Sequence, residues 1–130
     1  SLDTAQRCAD CYVARTPDHG VPPNDWDEPN PTFATESSAA AVTASSLLQL
    51  ANLTQELERA ARYRAYARTI LSTLCDHTYL AVDTPGWEGI LKHGMYHERR
   101  GLGVDESVMW GDYFFLEALD EILDVLNREG

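Results

Sequence analysis

The 130-residue chain has the length of about one domain, and its 44% hydrophobic and 24% charged residues are globular values that exclude a disordered chain. Its 21 acidic and 10 basic residues give a formal net charge of -11, which argues against a nucleic-acid-binding protein and against a polybasic membrane anchor. No run of 18 apolar residues is present, so the sequence predicts no transmembrane helix.

The first predicted helix spans Leu2 to Ala14, where apolar residues recur at steps of three and four. Ser1 is its expected N-cap. Cys8 and Cys11 form a C-x-x-C pair inside this helix. They lack the second pair that a zinc site needs and the preceding strand of a thioredoxin-type motif, so we interpret them as ordinary helix residues.

The cellular location is suggested by two further features. A third cysteine, Cys75, makes the cysteine count odd, which does not fit a closed disulfide framework and favours a reducing, cytoplasmic compartment. The glycosylation sequon that begins at Asn52 leaves secretion open.

Thr16 to Thr35 is predicted to be a long loop because it holds five of the six prolines. A connection of this length is rare in a compact domain unless it has a function. Within it, Asp25, Asp27 and Glu28 place three carboxylates around Trp26. This arrangement suits sugar binding or acid-base catalysis. The alternative is a solvated turn that Trp26 holds in place.

The next two helices are predicted over Glu36 to Asn52 and Gln55 to Asp76. The short link between them makes them antiparallel neighbours. The small residues from Ser37 to Ala41 would let another helix approach closely.

A second loop-rich region follows from His77 to Asp105, with a short strand or hairpin expected around Ile90 to Tyr96. The stretch from His93 to Arg100 is a local concentration of basic and titratable groups. Arg99 and Arg100 suit a carboxylate or sulfate ligand, and the alternative is an ordinary exposed loop.

The last predicted helix spans Glu106 to Arg128. Its expected solvent-facing carboxylates are Glu117, Asp120, Glu121 and Asp124. Asp112 falls on the apolar face, where an unpaired charge is costly. It either faces a polar cavity or is a structural acid bonded to backbone or to an arginine. Gly111 predicts the close approach of another element.

Two sets of motifs resemble the unsaturated glucuronyl hydrolases, glycoside hydrolase family 88. Val21 to Pro29 and Glu36 to Ala41 are similar to that family's VPxxDFDAP and DSSAAA segments, and His93-Gly94 with Trp110 to Leu119 is similar to its HG and WGDYFFLEAL segments. The matches span roughly residues 12 to 126. The departures from the family pattern are Asn24 for Trp, Glu28 for Ala and Glu36 for Asp.

The resemblance implies an all-α fold, an incomplete (α/α)6 barrel in which residues 1–130 are the C-terminal portion of a single domain. It implies hydration of the C4=C5 bond of lyase-generated unsaturated uronic acid oligosaccharides, without a metal or organic cofactor. The family's catalytic aspartates belong to the N-terminal half, so the catalytic residues are expected upstream, and this chain alone is expected to be inactive. Its expected partner is that N-terminal part of the barrel. Apolar surfaces that the part would cover are expected to be exposed here.

The resemblance also implies roles for individual residues of this chain. The expected substrate-binding residues are His97, Arg99, Arg100, Ser107 and Trp110. The expected pocket or scaffold residues are Asp25, Trp26, Asp27, Glu36, His93 and Asp112. Two alternatives stay open: an unsaturated rhamnogalacturonyl hydrolase, and a non-catalytic helical module that binds a sugar or a partner.

Overall fold

The computed structural model describes residues 1–33 and 35–129, so Ala34, inside the first predicted loop, lies outside the described residues. The elements are, in chain order, α1 (Leu2–Arg15), α2 (Ser37–Leu53), α3 (Leu57–Leu74), β1 (Gly94–His97), β2 (Leu102–Glu106) and α4 (Met109–Glu129). The four predicted helices are confirmed, with ends that shift by at most three residues. Ser1 caps α1, since its hydroxyl accepts from the Thr4 amide at 3.3 Å. None of the described helices combines the length and apolar character needed to cross a membrane.

Helix α2 is the centre of the fold, because α3 packs along one side of it and α4 along another. Leu47 and Leu48 of α2, Ile70 of α3 and Phe115 of α4 are buried together in one core. The contact with α4 is close at Gly111, where an added Cβ would lie 2.9 Å from Ser38 Cβ. The close approach predicted from Gly111 and from the small residues of α2 is therefore confirmed.

A two-stranded antiparallel hairpin interrupts the helical fold, and it lies further along the chain than Ile90 to Tyr96. Strand β2 reaches Glu106, which pairs with Gly94. The prediction that the last helix begins at Glu106 was wrong for this reason, since that residue lies in a strand. The turn between the strands contains Gly101 in the left-handed conformation that glycine adopts most readily.

The prediction of which side of α4 faces the solvent was partly wrong. The Ser45 hydroxyl of α2 donates to the Glu117 carboxylate, and the Asn52 amide donates to Glu121 Oε1 at 3.3 Å. Helix α2 therefore covers a side of α4 that carries carboxylates, while part of the apolar face of α4 stays exposed. The exposed apolar residues of α4 include Met109, Tyr113, Leu116, Leu123 and Leu126. The expected exposed apolar surface is confirmed.

Candidate functional site

Glu36 connects both long loop regions to the N-terminus of α2. Its Oε1 accepts from the Ser38 amide at 3.0 Å, the Ser38 hydroxyl at 2.6 Å and the Met95 amide at 2.9 Å. Its Oε2 accepts from the Ala39 amide at 2.7 Å. A carboxylate is favourable here because it caps free amides at the positive end of the helix dipole. With four bonds and 7% of its surface exposed, Glu36 holds the hairpin against α2.

The backbone around Glu36 strengthens the same junction. The Glu36 amide donates to the Pro22 carbonyl at 2.7 Å, and the Ser37 amide donates to the His93 carbonyl at 2.9 Å. The Ser37 hydroxyl donates to the Lys92 carbonyl at 2.6 Å. The proline-rich loop and the residues that precede the hairpin are thus fixed to one helix end.

Two tryptophans line a cavity of about 420 Å³ beside this junction, called the inner cavity below. Trp26 is 38% exposed and Trp110 is 37% exposed. The Trp110 indole donates to the Ser38 hydroxyl at 3.1 Å, and its ring packs edge-on to Tyr96 with 5.5 Å between centroids. The Trp26 ring packs edge-on to Tyr12 at 5.7 Å. Flat apolar faces beside polar groups suit the face of a sugar ring.

Tyr12 is a neutral part of this wall. Burial raises the pKa of its phenol, and the hydroxyl donates to the Gly20 carbonyl at 2.9 Å. Tyr12 therefore holds the loop that carries Trp26 and supplies no acid or base to the inner cavity.

A second cavity, of about 610 Å³, opens between residues 24–33 and the tip of the hairpin and is called the outer cavity below. Asn24 lines both cavities, and its side-chain amide donates to Glu98 Oε2 at 3.2 Å across the opening. The loop contributes Asp25 and Glu28, whereas the hairpin contributes Tyr96, His97, Glu98 and Arg99.

The carboxylates around Trp26 have separate environments. Asp27 forms an ion pair with Arg15, whose guanidinium carbon lies 5.2 Å from the centre of the Trp26 ring. Asp25 Oδ1 accepts from the Asp27 amide at 2.9 Å, which closes a local turn. The turn with Trp26 packed against Tyr12 fits the structural alternative, while Asp25 lines the outer cavity and its predicted role in sugar binding or catalysis stays a prediction.

His93 and Asp105 form a pair at the base of the hairpin. His93 Nδ1 lies 2.6 Å from Asp105 Oδ1, and the ring also packs edge-on to Trp87 and Tyr79. Both residues have left-handed backbone, with φ of 64° and 54°, which is uncommon for residues other than glycine. The side-chain pair and the aromatic contacts stabilise this strained base.

Asp112 bonds to backbone. Its Oδ2 accepts from the Ile90 amide at 3.0 Å, and its Oδ1 accepts from the Leu91 amide at 2.9 Å. These bonds fit the structural alternative stated from the sequence, although Asp112 also lines a cavity, as the other alternative expected. Asp112 fixes the segment before the hairpin to the first turn of α4.

Ser107 lies apart from the hairpin tip. Its hydroxyl accepts from the Trp87 indole and donates to the Leu91 carbonyl. It lines a third cavity together with Asp112, whereas His97 and Arg99 line the outer cavity. The structure therefore does not bring Ser107 together with them, and Arg100 is an exposed residue that lines none of these cavities.

The lining residues that were not predicted as site residues include Asn24, Ser38 and Tyr96. Asn24 was noted only as a departure from the family pattern. The signal that would have found Tyr96 is its place beside His97 in the hairpin. Ser38 lies within the small-residue run, which the sequence analysis assigns to helix packing and to the family motif but to no site.

Across residues 1–33 and 35–129, no three side chains among His, Cys, Asp and Glu cluster in a way that would hold a metal ion. Cys8, Cys11 and Cys75 are exposed free thiols. The prediction that Cys8 and Cys11 are ordinary helix residues fits these positions.

Searches of known sequences find similarity to hydrolases of unsaturated sugars. An unsaturated glucuronyl hydrolase from Bacillus sp. (strain GL1) is 38% identical over 120 residues, which are 91% of this chain and 32% of that protein. A second one, from Formosa agariphila, is 36% identical over 79% of this chain and 25% of its own length. An unsaturated chondroitin disaccharide hydrolase from Streptococcus pneumoniae is 34% identical over 65% of this chain and 21% of its own length. No family model matches the chain.

The backbone is similar to solved structures of the same class of hydrolase. The crystal structure of the Bacillus sp. GL1 enzyme, described as responsible for the degradation of glycosaminoglycan, aligns with a TM-score of 0.84 at 37% identity over 93% of this chain and 32% of its own. A glucuronyl hydrolase specific for heparin aligns with a TM-score of 0.85 at 30% identity, over 97% of this chain and 34% of its own. The helical fold expected from the sequence, an incomplete (α/α)6 barrel, is confirmed. The chain spans about a third of the length of the Bacillus sp. GL1 hydrolase and a quarter or less of the other two sequence relatives.

Proposed function

The chain matches the unsaturated glucuronyl hydrolases over about a third of their length, and on this premise we propose that it is the C-terminal portion of such a hydrolase. The observation that carries the proposal is the joint agreement of sequence and backbone over nine-tenths of the chain. The substrate would be an oligosaccharide that ends in an unsaturated uronic acid.

The proposed reaction is hydration of the enol ether. A carboxylic acid donates a proton to C4, water adds to C5, and the resulting hemiketal opens and releases the aglycone sugar. The same group then takes a proton from the attacking water, so acid and base are regenerated without a cofactor.

The catalytic acid is assigned outside residues 1–130. Two carboxylates of this chain that match the family's motifs, Glu36 and Asp112, are occupied by four and two hydrogen bonds that hold backbone together. These bonds give both carboxylates a structural role, and the family resemblance places the catalytic aspartates in the N-terminal half of the barrel.

The contribution of this chain to the substrate site would be binding. Trp26 and Trp110 would contact sugar faces in the inner cavity, and His97 and Arg99 would contact the aglycone in the outer cavity. Ser107 and Arg100, which the family resemblance suggested as substrate-binding residues, would act only if the complete barrel brought the substrate to them.

A chimaera tests this proposal. Residues 1–130 replace the corresponding third of the Bacillus sp. GL1 hydrolase in one polypeptide, and hydrolysis is followed as loss of the ultraviolet absorbance of the unsaturated uronate. We expect hydrolysis by the chimaera and none by the 130-residue chain alone. A chimaera with native helical content that fails to hydrolyse and fails to bind the substrate would contradict the proposal. Turnover by the isolated chain would contradict the assignment of the catalytic acid.

A further inference from the structure

Ser38 links the inner cavity to the buried carboxylate of Glu36. The Trp110 indole donates to the Ser38 hydroxyl at 3.1 Å, and that hydroxyl lies 2.6 Å from Glu36 Oε1. An indole N–H can only donate, so the Ser38 oxygen accepts from it and the single hydroxyl proton is directed at Glu36. The three groups therefore form one chain of hydrogen bonds with a fixed direction, from Trp110 through Ser38 to Glu36.

The position of Ser38 is itself fixed from two sides. Ser38 is 3% exposed, and its amide donates to the same Glu36 oxygen at 3.0 Å. On the other side α4 packs so closely that a Cβ added at Gly111 would lie 2.9 Å from Ser38 Cβ. A rotation of the Ser38 hydroxyl away from Trp110 would also break its bond to Glu36.

Trp110 needs such a constraint because its ring borders open space. A half-exposed side chain on the first turn of a helix can occupy more than one staggered rotamer. The indole bond to Ser38 selects the rotamer in which the ring lines the inner cavity.

The same Glu36 oxygen also sets the neighbouring aromatic ring. Glu36 Oε1 accepts from the Met95 amide at 2.9 Å, and Met95 precedes Tyr96 in β1. The Tyr96 and Trp110 rings then meet edge-on, with 5.5 Å between centroids. One oxygen thus positions Tyr96 through the backbone and Trp110 through Ser38.

We propose that Ser38 is a positioning residue for the sugar-binding face of Trp110. It acts through the indole, which it holds in the orientation that a sugar ring would meet, and it takes no part in the proton transfers. The inference rests on the proposed function, because it assigns a role within that same binding site.

Ser38→Ala in the chimaera described above tests the inference by NMR of the indole protons. We expect the Trp110 Nε1–H resonance to move upfield and its exchange with solvent to become at least about tenfold faster, because the acceptor is lost. The indole resonances of Trp26 and Trp87 should stay where they are. Trp110→Phe identifies the resonance, since it removes that signal alone.

The kinetics of the same variant report on the substrate. We expect Ser38→Ala to raise the KM for an unsaturated uronic acid disaccharide about fivefold and to change kcat less than about twofold, because a sugar-face contact is made equally in the ground state and the transition state. Ser46→Ala is the matched control, since it makes the same change at an exposed position of α2. It should leave the KM and the Trp110 resonance unchanged.

A double-mutant cycle separates positioning from a general structural role. Trp110→Phe keeps an aromatic ring and removes the N–H, so Ser38→Ala added to Trp110→Phe should change the KM little further. If Ser38→Ala lowers the helical content of the chimaera, Ser38→Cys takes its place. Cysteine keeps the shape of the side chain, and its weakly accepting sulfur should shift the Trp110 resonance in the same direction.

Three results would overturn the inference. An active chimaera in which Ser38→Ala changes neither the Trp110 resonance nor the KM would overturn it and leave the proposed function in place. An equal rise in KM with and without Trp110→Phe would overturn it as well, since Ser38 would then act without the indole. A folded parent chimaera that neither binds nor hydrolyses the disaccharide would count against the proposed function, and the inference would fall with it.

Discussion

Asp112 offers the sharpest test of how the site is held together. Its two oxygens accept from the Ile90 and Leu91 amides, and Leu91 is 2% exposed. In Asp112→Asn the one remaining side-chain oxygen can accept from only one of the two backbone amides. The new NH₂ group faces the second amide, and two donors cannot pair with each other. A hydrogen bond to a charged acceptor contributes about 1.5–3 kcal/mol, and a buried unpaired amide costs about 1–3 kcal/mol.

We therefore expect Asp112→Asn to lower the free energy of unfolding by about 2–3 kcal/mol, and Asp112→Ala, which leaves both amides unpaired, by about 4 kcal/mol. Urea titrations at one protein concentration measure the loss. Hydrogen exchange of the Ile90 and Leu91 amides should become at least about tenfold faster, which locates the effect. Asp120→Asn, an exposed carboxylate of the same helix, is the control.

An Asp112→Asn variant with unchanged stability and unchanged exchange at Ile90 and Leu91 would refute the structural role. In the chimaera, loss of hydrolysis without loss of stability would assign the Asp112 carboxylate to the substrate instead.

Three further predictions concern α4. Gly111→Ala should lower the free energy of unfolding by about 1–2 kcal/mol in urea titrations. The alanine methyl group would clash with Ser38, and this cost exceeds the gain in helix propensity of about 1 kcal/mol. An increase in stability would contradict the close contact. Burial, with a neighbouring carboxylate as a smaller cause, raises the pKa of Glu121 above its usual 4.5, so ionisation of Glu121 opposes folding. Glu121→Gln should therefore raise the Tm at pH 7. Well below pH 4.5 it should change the Tm little, because Glu121 is then protonated in both the folded and the unfolded state. A difference in Tm between variant and parent that is the same at every pH would refute this reasoning. The exposed apolar face of α4 should make the isolated chain associate. The double variant Leu116→Glu, Leu123→Lys keeps the net charge and should lower the average mass of the associated species in sedimentation experiments. A monodisperse monomer of the unmodified chain would contradict the expectation.

The helices could be predicted because their signals are local. Apolar spacing, a serine N-cap at Ser1 and the small residues near Ser38 all act within a few positions of the chain. The close contact at Gly111 followed from a residue type that is costly in a helix unless something packs there.

The periodicity of α4 predicted that Phe115 and Ile122 are buried, but it could not predict the polar contacts of the face that α4 buries. That face depends on which neighbour covers it, and α2 presents Ser45 and Asn52, which bond carboxylates. The spacing of polar residues within one helix does not distinguish a solvent-exposed face from a face that hydrogen-bonds to polar groups of another helix.

The site was predictable in its parts more than in its arrangement. The motifs indicated the family, and Trp26 and Trp110 do line one cavity. The pairing of His93 with Asp105 depends on two left-handed residues and a hairpin register, which have no local signal. The family resemblance groups Ser107 with Arg99 because it assigns the loop before Trp110 to the substrate cleft, yet strand β2 lies between them and they line different cavities.

The most direct test of the central claim is the intact mass of the native gene product, measured together with its effect on the ultraviolet absorbance of an unsaturated uronic acid disaccharide. Because this chain spans 32% of its Bacillus sp. GL1 relative, we predict a product of about three times the mass of residues 1–130 that removes the absorbance. A native product of only this size that binds the disaccharide or a partner and leaves the absorbance unchanged would contradict the claim and identify a non-catalytic helical module.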